Sequence, residues 1–292
     1  MSKINIFCFG FGQVAESFIN KLILKKKDFK LSITSRQPTH EIEFNNLKMT
    51  SFMFNKNQFD KKLISILEEA NYILVSIPPI DGSDIVLENI GTYLKKIKNC
   101  KWITYLSATS VYGDHNGKWV NEKSITNPSS SNGINRLRAE NSWKELSFNK
   151  NLPVQIFRLA GIYSNEFNVL KRLKLGSVQV VDKKNHFFSR VHIDDIGNIL
   201  FESINNFKSG EIYNISDDKP ASQKEVADYG AKLLNLEKPK PMKLENIESE
   251  MLKTFYKDSK KVDNKKMKEF FNHKLKYPTY VEGLNYIFNN TF

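Results

Sequence analysis

Short apolar runs alternate with longer amphipathic segments through the first half of the chain. Ile4–Phe9 is an apolar run of strand length, and Phe29–Thr34 is a second one. Between them, five apolar residues recur at the spacing of one helix face. These residues are Val14, Ala15, Phe18, Ile19 and Leu22. A strand, an amphipathic helix and a strand in this order predict a βαβ unit of a parallel sheet.

The alternation continues as far as Tyr163. The further predicted strands are a weak segment at Met53 and Phe54, Tyr72–Ile77 before Pro78 and Pro79, and Trp102–Leu106. The further predicted helices are Leu63–Ala70 and Ile85–Ile97. Strands and helices that alternate in this way favour a doubly wound parallel sheet with helices on both faces. We therefore predict an α/β fold of the Rossmann type.

Beyond Tyr163 the pattern is less regular. The predicted elements there are helices at Phe167–Leu175 and Ile193–Ile204 and strands at Ser177–Val181 and Ile212–Ile215. Ser222 and Glu225 have the spacing of a capping box, which opens a predicted helix that reaches about Asn235, and Glu237–Pro241 is a predicted surface connection. We predict a Rossmann domain over residues 1–163, to which residues 190–215 return, and a smaller C-terminal lobe over residues 164–292 that binds substrate.

The composition is that of a folded globular chain, with 40% hydrophobic and 26% charged residues. The two cysteines, Cys8 and Cys100, lie in or beside apolar runs, so we expect buried thiols and no disulfide framework. The longest apolar run, Tyr72–Ile80, is too short to span a bilayer, and the N-terminus lacks a signal-peptide pattern. We therefore expect a soluble, cytoplasmic protein that does not bind membranes.

The formal net charge of +12 raises the question of nucleic-acid binding. However, the basic residues do not gather into an arm or along one helix face. Lys25–Lys27 and Lys95–Lys98 each close a predicted helix, where cations complement the helix dipole. These features favour a solvated, lysine-rich surface that attracts phosphate-bearing metabolites over a nucleic-acid interface.

A glycine-rich loop follows the first predicted strand directly. It has the pattern GxGxxA and consists of Gly10, Phe11, Gly12, Gln13, Val14 and Ala15. The first glycine permits a tight turn, the second lets the backbone approach a pyrophosphate, and the small alanine lets helix and strand pack closely. Because the loop opens an amphipathic helix, the helix N-terminus offers amides to the phosphates. This arrangement predicts binding of a pyridine dinucleotide, and the alternative is a glycine turn without a ligand.

The end of the second predicted strand bears on the choice of cofactor. Loops of this kind that bind NAD usually have an acidic residue there, which holds the ribose hydroxyls. Here the chain has Thr34, Ser35 and Arg36 instead. A hydroxyl followed by an arginine suits a 2′-phosphate, so we predict NADP in preference to NAD. The alternative is that Arg36 stacks on adenine or faces solvent.

Several segments, taken in order, are similar to motifs of one family. They are Ser107–Gly113 with its VYG turn, Glu122 and Pro128, Phe157–Tyr163, Arg190–Asp195, Ile212–Ile215, Lys265–Tyr277, and Glu282–Leu284. On these segments the chain resembles the NAD-dependent epimerase/dehydratase family, the extended short-chain dehydrogenases, over nearly its whole length. The resemblance implies chemistry at a hydroxyl or carbonyl of a sugar-like or nucleotide-linked substrate.

The expected active site departs from that family. The family's YxxxK motif places a tyrosine and a lysine one turn apart on a helix, where the lysine lowers the pKa of the tyrosine. Alignment on Pro128 and Glu140 puts Asn132 at the tyrosine and Arg136 at the lysine. Asn132 cannot relay a proton, and Arg136 stays cationic but can still bind ribose or phosphate.

The family's serine or threonine falls on Ala108 in the same alignment. Ser107 and Thr109 flank this position, although alternation along a strand would point both side chains away from it. The candidate catalytic residues are therefore Ser107, Thr109, Asn132 and Arg136.

The resemblance also implies further binding residues. The remaining candidates for the cofactor site are Ser76, Ile77, Pro78, Leu159 and Gly161, together with Arg136. The candidates for substrate binding are Tyr112, Tyr163, Arg172, Arg190 and His192. The histidines have no carboxylate or cysteine spacing that indicates a metal, so we expect none.

Three hypotheses about function remain open at this point. The chain is an NAD(P)-dependent enzyme with an anionic or neutral small-molecule substrate, a non-catalytic NAD(P)-binding sensor, or a nucleic-acid binder. The missing tyrosine favours the sensor, whereas the nucleic-acid hypothesis rests on charge alone. The resemblance further implies a homodimer, because active-site helices in this family often form dimer interfaces.

Overall fold

The alternating segments fold into a central sheet flanked by helices in a computed structural model that describes residues 4–181, 183–248 and 250–292. The strands of the described residues are β1 (Ile4–Phe9), β2 (Phe29–Ser35), β3 (His40–Phe44), β4 (Leu47–Met53), β5 (Tyr72–Val75), β6 (Trp102–Ala108), β7 (Trp119–Val120), β8 (Val154–Leu159), β9 (Gly161–Tyr163), β10 (Arg190–His192), β11 (Ile212–Ile215) and β12 (Lys261–Val262).

Helices connect most of these strands. They are α1 (Gln13–Leu24), α2 (Leu63–Glu68), α3 (Ile85–Leu94), α4 (Ser131–Lys150), α5 (Val169–Lys174), α6 (Ile193–Ser203), α7 (Gln223–Leu233), α8 (Glu250–Lys257), α9 (Lys265–Phe270) and α10 (Tyr280–Thr291), with short 3₁₀ helices at Thr109–Tyr112 and Leu244–Asn246. None of the helices in the described part of the chain is long and apolar enough to cross a membrane.

The central sheet has eight strands in the order β11-β8-β6-β5-β1-β2-β4-β3. Strand β1 pairs in parallel with both β2 and β5, and the pairs β2–β4 and β5–β6 are parallel as well. On one side of β1 lies β2, which follows it in the chain, and on the other side lie β5 and β6, which come later. The strand order therefore reverses at β1. The predicted α/β fold with a Rossmann-type, doubly wound sheet is confirmed.

An antiparallel hairpin at one edge of the sheet is absent from the sequence prediction. Strands β3 and β4 pair antiparallel, with Phe44 opposite Leu47. The turn between them consists of Asn45 and Asn46, whose φ angles of 49° and 63° lie in the left-handed region. Two left-handed residues make the turn that best matches the twist of paired strands. The weak prediction at Met53 and Phe54 marks no more than the end of β4.

Two predictions for the second half have opposite outcomes. The capping box of Ser222 and Glu225 is present at the start of α7, which confirms the predicted helix start. The predicted strand Ser177–Val181 is wrong, because these residues form no ladder. Their backbone groups find other partners: the carbonyl of Val180 accepts from the Met242 amide at 2.8 Å, and the Val181 amide donates to the Tyr256 hydroxyl at 3.1 Å.

Backbone contacts divide the chain into two compact units. Unit 1 comprises Met1–Ala108, Ile134–Arg158 and Ile196–Tyr213, and unit 2 comprises Thr109–Gly133, Leu159–Asp195 and Asn214–Phe292. Each has an apolar core. Unit 1 buries side chains of the central sheet and its helices, such as Phe7, Phe9, Ile103 and Trp143. Unit 2 buries Tyr163, Leu170, Val226 and Leu284. These contact units have other boundaries than the predicted division at residue 163. The division into a cofactor domain and a substrate lobe stays a prediction.

Candidate functional site

The first glycine of the loop after β1 is fixed by its surroundings. Gly10 has a φ of 83°, and a Cβ built on it would lie 2.9 Å from Ser76 Oγ and 3.0 Å from Ile77 Cγ1. Its amide donates to Thr34 Oγ1 at 2.9 Å. The Ser76 hydroxyl lies 3.0 Å from the Phe9 carbonyl oxygen, which accepts from it. A side chain at residue 10 would therefore be strained and crowded, so the protein itself determines the shape of this turn.

The second glycine of the loop faces open space. Gly12 is the N-cap of α1, and no side chain caps that helix. A Cβ built on Gly12 would meet no atom within 4 Å. The first amides of a helix have no intrahelical acceptors, so those of α1 are available to a ligand. A diphosphate suits this position, since it needs close approach to the backbone and gains from the positive end of the helix dipole.

The remaining loop residues support the same geometry. Val14 and Ala15 are buried and pack α1 against the sheet, whereas Gln13 is exposed. The ring of Phe11 lies 5.2 Å from that of Phe44, edge to face. The hairpin therefore contacts the loop, and this contact could not be predicted while the hairpin itself was missing.

The end of β2 lies beside the hairpin. Ser35 accepts a hydrogen bond from the Ser51 hydroxyl at 3.0 Å, so one lone pair of Ser35 is engaged within the protein. Arg36 is exposed and has no carboxylate partner among the described residues. A free guanidinium is the group that a 2′-phosphate requires. Pro78, another predicted cofactor residue, follows Ser76 and Ile77 beyond the end of β5.

Arg136 lies on α4 and is engaged with the end of β6. Its Nη1 donates to the carbonyl oxygen of Leu106. Its Nε is buried and has no hydrogen-bond partner among the described residues. Burial raises the pKa of the neighbouring Tyr105 hydroxyl, and the charge of Arg136 opposes this rise. Tyr105 is fully buried, so it cannot replace the missing tyrosine as a proton donor to a substrate.

The hydroxyl-bearing residues after β6 do not follow one strand. Ser107 is buried within β6, and its Oγ has no hydrogen-bond partner among the described residues. The strand ends at Ala108, and Thr109 begins a 3₁₀ helix. Strand alternation therefore does not apply to Thr109, and the role of Ser107 stays a prediction.

Two side-chain interactions, one of them fully buried, hold α4 within unit 1. Glu140 forms an ion pair with Arg158 of β8, with an Oε2 to Nη2 distance of 2.7 Å and both side chains buried. Trp143 donates from its indole nitrogen to Asp84 Oδ2 at 2.8 Å. Asp84 also caps α3 by accepting from the amides of Val86 and Leu87. Glu140 is an alignment point of the predicted active site and Arg158 lies in the segment Phe157–Tyr163, but their pairing was not predicted.

A cavity of about 1170 Å³ lies within unit 2. Six of the residues predicted for the site line it. These are Thr109, Asn132, Gly161, Tyr163, Arg172 and Arg190. Hydroxyl-bearing residues that were not predicted, Ser110, Ser130 and Ser131, line it as well. The cavity therefore brings together candidates from catalytic, cofactor and substrate sets that are far apart in sequence.

The other predicted residues of unit 2 lie elsewhere. The hydroxyl of Tyr112 donates to Asn214 Oδ1 at 2.7 Å in the interior. His192 is buried, with its ring 4.1 Å from that of Tyr277, and its Nδ1 accepts from the Asp194 amide. Burial lowers the pKa of His192. Leu159 is buried at the end of β8. None of these three side chains lines the cavity, so their assigned roles stay predictions.

Arg190 is held by the protein itself. Its Nη1 donates to the carbonyl oxygens of Phe188 and Ala221, each at 2.9 Å, and its Nη2 donates to Gln223 Oε1 at 3.2 Å. The guanidinium therefore has few donors left for a substrate.

Among the described residues, no group of three or more histidine, cysteine, aspartate or glutamate side chains is placed to hold a metal ion.

Three features define a Rossmann-type α/β protein with a loop that is compatible with a dinucleotide. They are the reversal of strand order at β1, the constrained turn at Gly10 and the open N-terminus of α1. No family model matches the chain, and no curated protein matches it.

Solved structures do match it. A functionally unknown conserved protein from Silicibacter pomeroyi DSS is 28% identical with a TM-score of 0.84, and the match covers 99% of both chains. UDP-glucuronic acid 4-epimerase from Bacillus cereus, solved with NAD, is 15% identical with a TM-score of 0.77, over 98% of this chain and 96% of that one. dTDP-glucose 4,6-dehydratase from Bacillus anthracis str. Ames, also solved with NAD, is 18% identical with a TM-score of 0.75, over 98% and 96%. The chain thus shares its fold with an epimerase and a dehydratase that were each solved with NAD.

Proposed function

We propose that the chain binds NADP in preference to NAD and uses it at a hydroxyl or carbonyl group of a small molecule. The observation that carries this proposal is the uncapped N-terminus of α1 at Gly12, which leaves amides and open space for a diphosphate. The epimerase and dehydratase of the same fold that were solved with NAD support it. Their substrates make sugar-like or nucleotide-linked compounds the first class to test.

Each residue of the cofactor site has a defined role in this proposal. The first amides of α1 hold the diphosphate, and the exposed guanidinium of Arg36 pairs with the 2′-phosphate. A bound pyridine dinucleotide supplies a hydride donor or acceptor. The constrained turn at Gly10 keeps the loop in its binding shape before the ligand arrives.

Proton transfer is the slow step of the proposed reaction. Asn132 and Thr109 line the cavity and can orient a substrate oxygen by hydrogen bonds, but neither exchanges a proton near neutral pH. The proton is then exchanged with water. Because a positioned acid or base contributes about 10²–10⁴-fold in rate, we expect slow turnover compared with enzymes that keep the tyrosine.

A second candidate is a dinucleotide-binding sensor without turnover. Asn132 at the tyrosine position favours it, and so does the hydrogen bond that engages Arg136 with the Leu106 carbonyl. The fold would then serve to couple cofactor binding to another event.

Cofactor preference is tested first, by titrating NADPH and NADH against the protein and following the fluorescence of the nicotinamide. Arg36→Ala should weaken NADPH binding by about tenfold to a hundredfold, because a charge-assisted hydrogen bond contributes about 1.5–3 kcal/mol, and should change NADH binding less than about twofold. Lys30→Ala, an exposed position on the strand that precedes Arg36, is the matched control. An equal effect of Arg36→Ala on both cofactors would refute the 2′-phosphate role.

Turnover is tested separately. A screen of small hydroxy and carbonyl compounds, nucleotide-linked sugars among them, for epimerisation by NMR and for hydride transfer by absorbance of NADPH should find slow reaction with at least one compound. If NADPH binds tightly but no compound in the screen reacts, the enzyme hypothesis is wrong and the sensor hypothesis is favoured.

A further inference from the structure

The cavity of unit 2 has two chemically different sets of lining residues. The first set comes from the connection between β6 and α4 and from the start of α4, and it carries hydroxyl and amide groups without charge. It consists of Thr109, Ser110, Ser130, Ser131 and Asn132. The Oγ of Ser110 is buried and has no hydrogen-bond partner among the described residues. An uncharged oxygen of a ligand can pair with this set.

The second set is apolar and strongly exposed. Phe167 and Leu175 flank α5 and are 66% and 79% exposed, and Phe255 of α8 is 48% exposed. All three line the cavity. Large apolar side chains that share one concave surface are stabilised when a ligand removes them from water. The second set therefore favours a ligand with a sizeable apolar group.

The charges of the lining set a limit on the charge of the ligand. Lys171 pairs with Glu166 at 2.7 Å, and Lys260 pairs with Asp258 at 3.6 Å. These two cations are neutralised within the protein, and the guanidinium of Arg190 is engaged as described above.

Among the described residues of the lining, Arg172 is the cation that is left for a ligand. The guanidinium of Arg172 has no carboxylate partner among the described residues, and it donates one long hydrogen bond of 3.5 Å to the Ser177 carbonyl. Glu248 also lines the cavity and has no cationic partner in the described part of the chain. This carboxylate opposes a second negative charge on the ligand.

We propose that the ligand of this cavity is an amphipathic monoanion with an acyl or aryl group for the apolar set, one carboxylate for Arg172, and a hydroxyl or carbonyl for the polar set. A nucleoside diphosphate sugar fits this lining less well, because it brings at least two negative charges and a mostly polar body. The inference rests on the proposed function in one respect, namely that this ligand is the substrate.

Isothermal titration calorimetry with three probes tests the proposal, on the full chain with and without NADPH. The probes are octanoate, 1-octanol and UDP-glucose, the first two well below their aggregation limits. We expect octanoate to bind about fivefold more tightly than 1-octanol, the gain of one partly exposed ion pair, and UDP-glucose to bind more weakly than octanoate.

Two variants assign the binding to the proposed residues. Arg172→Gln should remove the fivefold advantage of octanoate and leave 1-octanol unchanged, whereas Phe255→Ser should weaken both by about tenfold. Lys174→Gln, on the same helix as Arg172, is the control for charge. Leu236→Ser, another exposed apolar position outside the lining, is the control for apolar area. Neither control should change binding.

The outcomes separate this inference from the proposed function. Three results would each overturn the proposal of a monoanionic ligand. They are equal binding of octanoate and 1-octanol, no effect of Arg172→Gln, and tighter binding of UDP-glucose that displaces octanoate. NADPH binding without octanoate binding would overturn the inference alone. Octanoate binding without any NADPH affinity would uphold the ligand class and overturn the proposed function.

Discussion

Replacement of Gly12 by serine should slightly raise the stability of the ligand-free protein and weaken the binding of the cofactor. Gly12 has φ −99° and ψ −176°, which any residue adopts, and its missing Cβ faces open space. A serine therefore fits without strain. Its hydroxyl can accept from an amide in the first turn of α1, a bond that the helix now lacks.

The two effects differ in size. Serine is better than glycine at an N-cap by a few tenths of a kcal/mol, so the melting temperature should rise by about 1 °C or less. In the bound state, the same hydroxyl occupies the space and an amide that the diphosphate needs. Loss of one charge-assisted hydrogen bond costs about 1.5–3 kcal/mol, so the Kd for NADPH should rise about tenfold to a hundredfold.

Thermal unfolding of the ligand-free protein and fluorescence titration with NADPH measure the two effects on one sample. Gly91→Ser in α3 is the matched control, since a Cβ there also meets no atom within 4 Å and the position is far from the loop in sequence. It should leave the Kd unchanged. If Gly12→Ser binds NADPH as tightly as the unmodified chain, the diphosphate does not lie at the start of α1.

Three further predictions concern buried charges. Arg158→Met should destabilise the protein by about 3–5 kcal/mol in urea unfolding, because Glu140 loses its buried partner, and adding Glu140→Met should recover most of the loss. Burial raises the pKa of Asp217 to about 8, so the native protein loses stability as the pH rises from about 4 through 8. Asp217→Asn does not titrate, and its advantage in free energy of unfolding, measured in urea, should grow over that range by on the order of a few kcal/mol. Burial lowers the pKa of His186 to about 4, so protonation destabilises the fold as the pH falls from 6.5 towards that value. His186→Phe should flatten this part of the melting profile, and an unchanged acid limb would contradict the assignment.

The strongly periodic elements could be predicted from the sequence. The run Ile4–Phe9, the helix that begins at Gln13 and the strand from Phe29 have unambiguous patterns, and all three form as predicted. The hairpin of β3 and β4 was missed because its strands are short and mixed in polarity, although Asn45 and Asn46 gave a local turn signal.

The candidate site could be predicted only where one segment carries the signal. The loop from Gly10 to Ala15 is contiguous, so its geometry follows from its pattern. The cavity of unit 2 is assembled from segments more than a hundred residues apart, among them Thr109 and Phe255. No local period indicates which of these residues meet, and the pairing of Lys171 and Lys260 with carboxylates depends on tertiary structure.

The anchoring of α4 has a consequence for engineering. Glu140 and Trp143 fasten the middle of the helix through Arg158 and Asp84, several residues away from Asn132. The scaffold therefore does not depend on the side chain at residue 132, which is exposed. A tyrosine could therefore be introduced at residue 132 without removing the contacts that anchor the helix, which makes this chain a suitable scaffold for testing a phenol at that position.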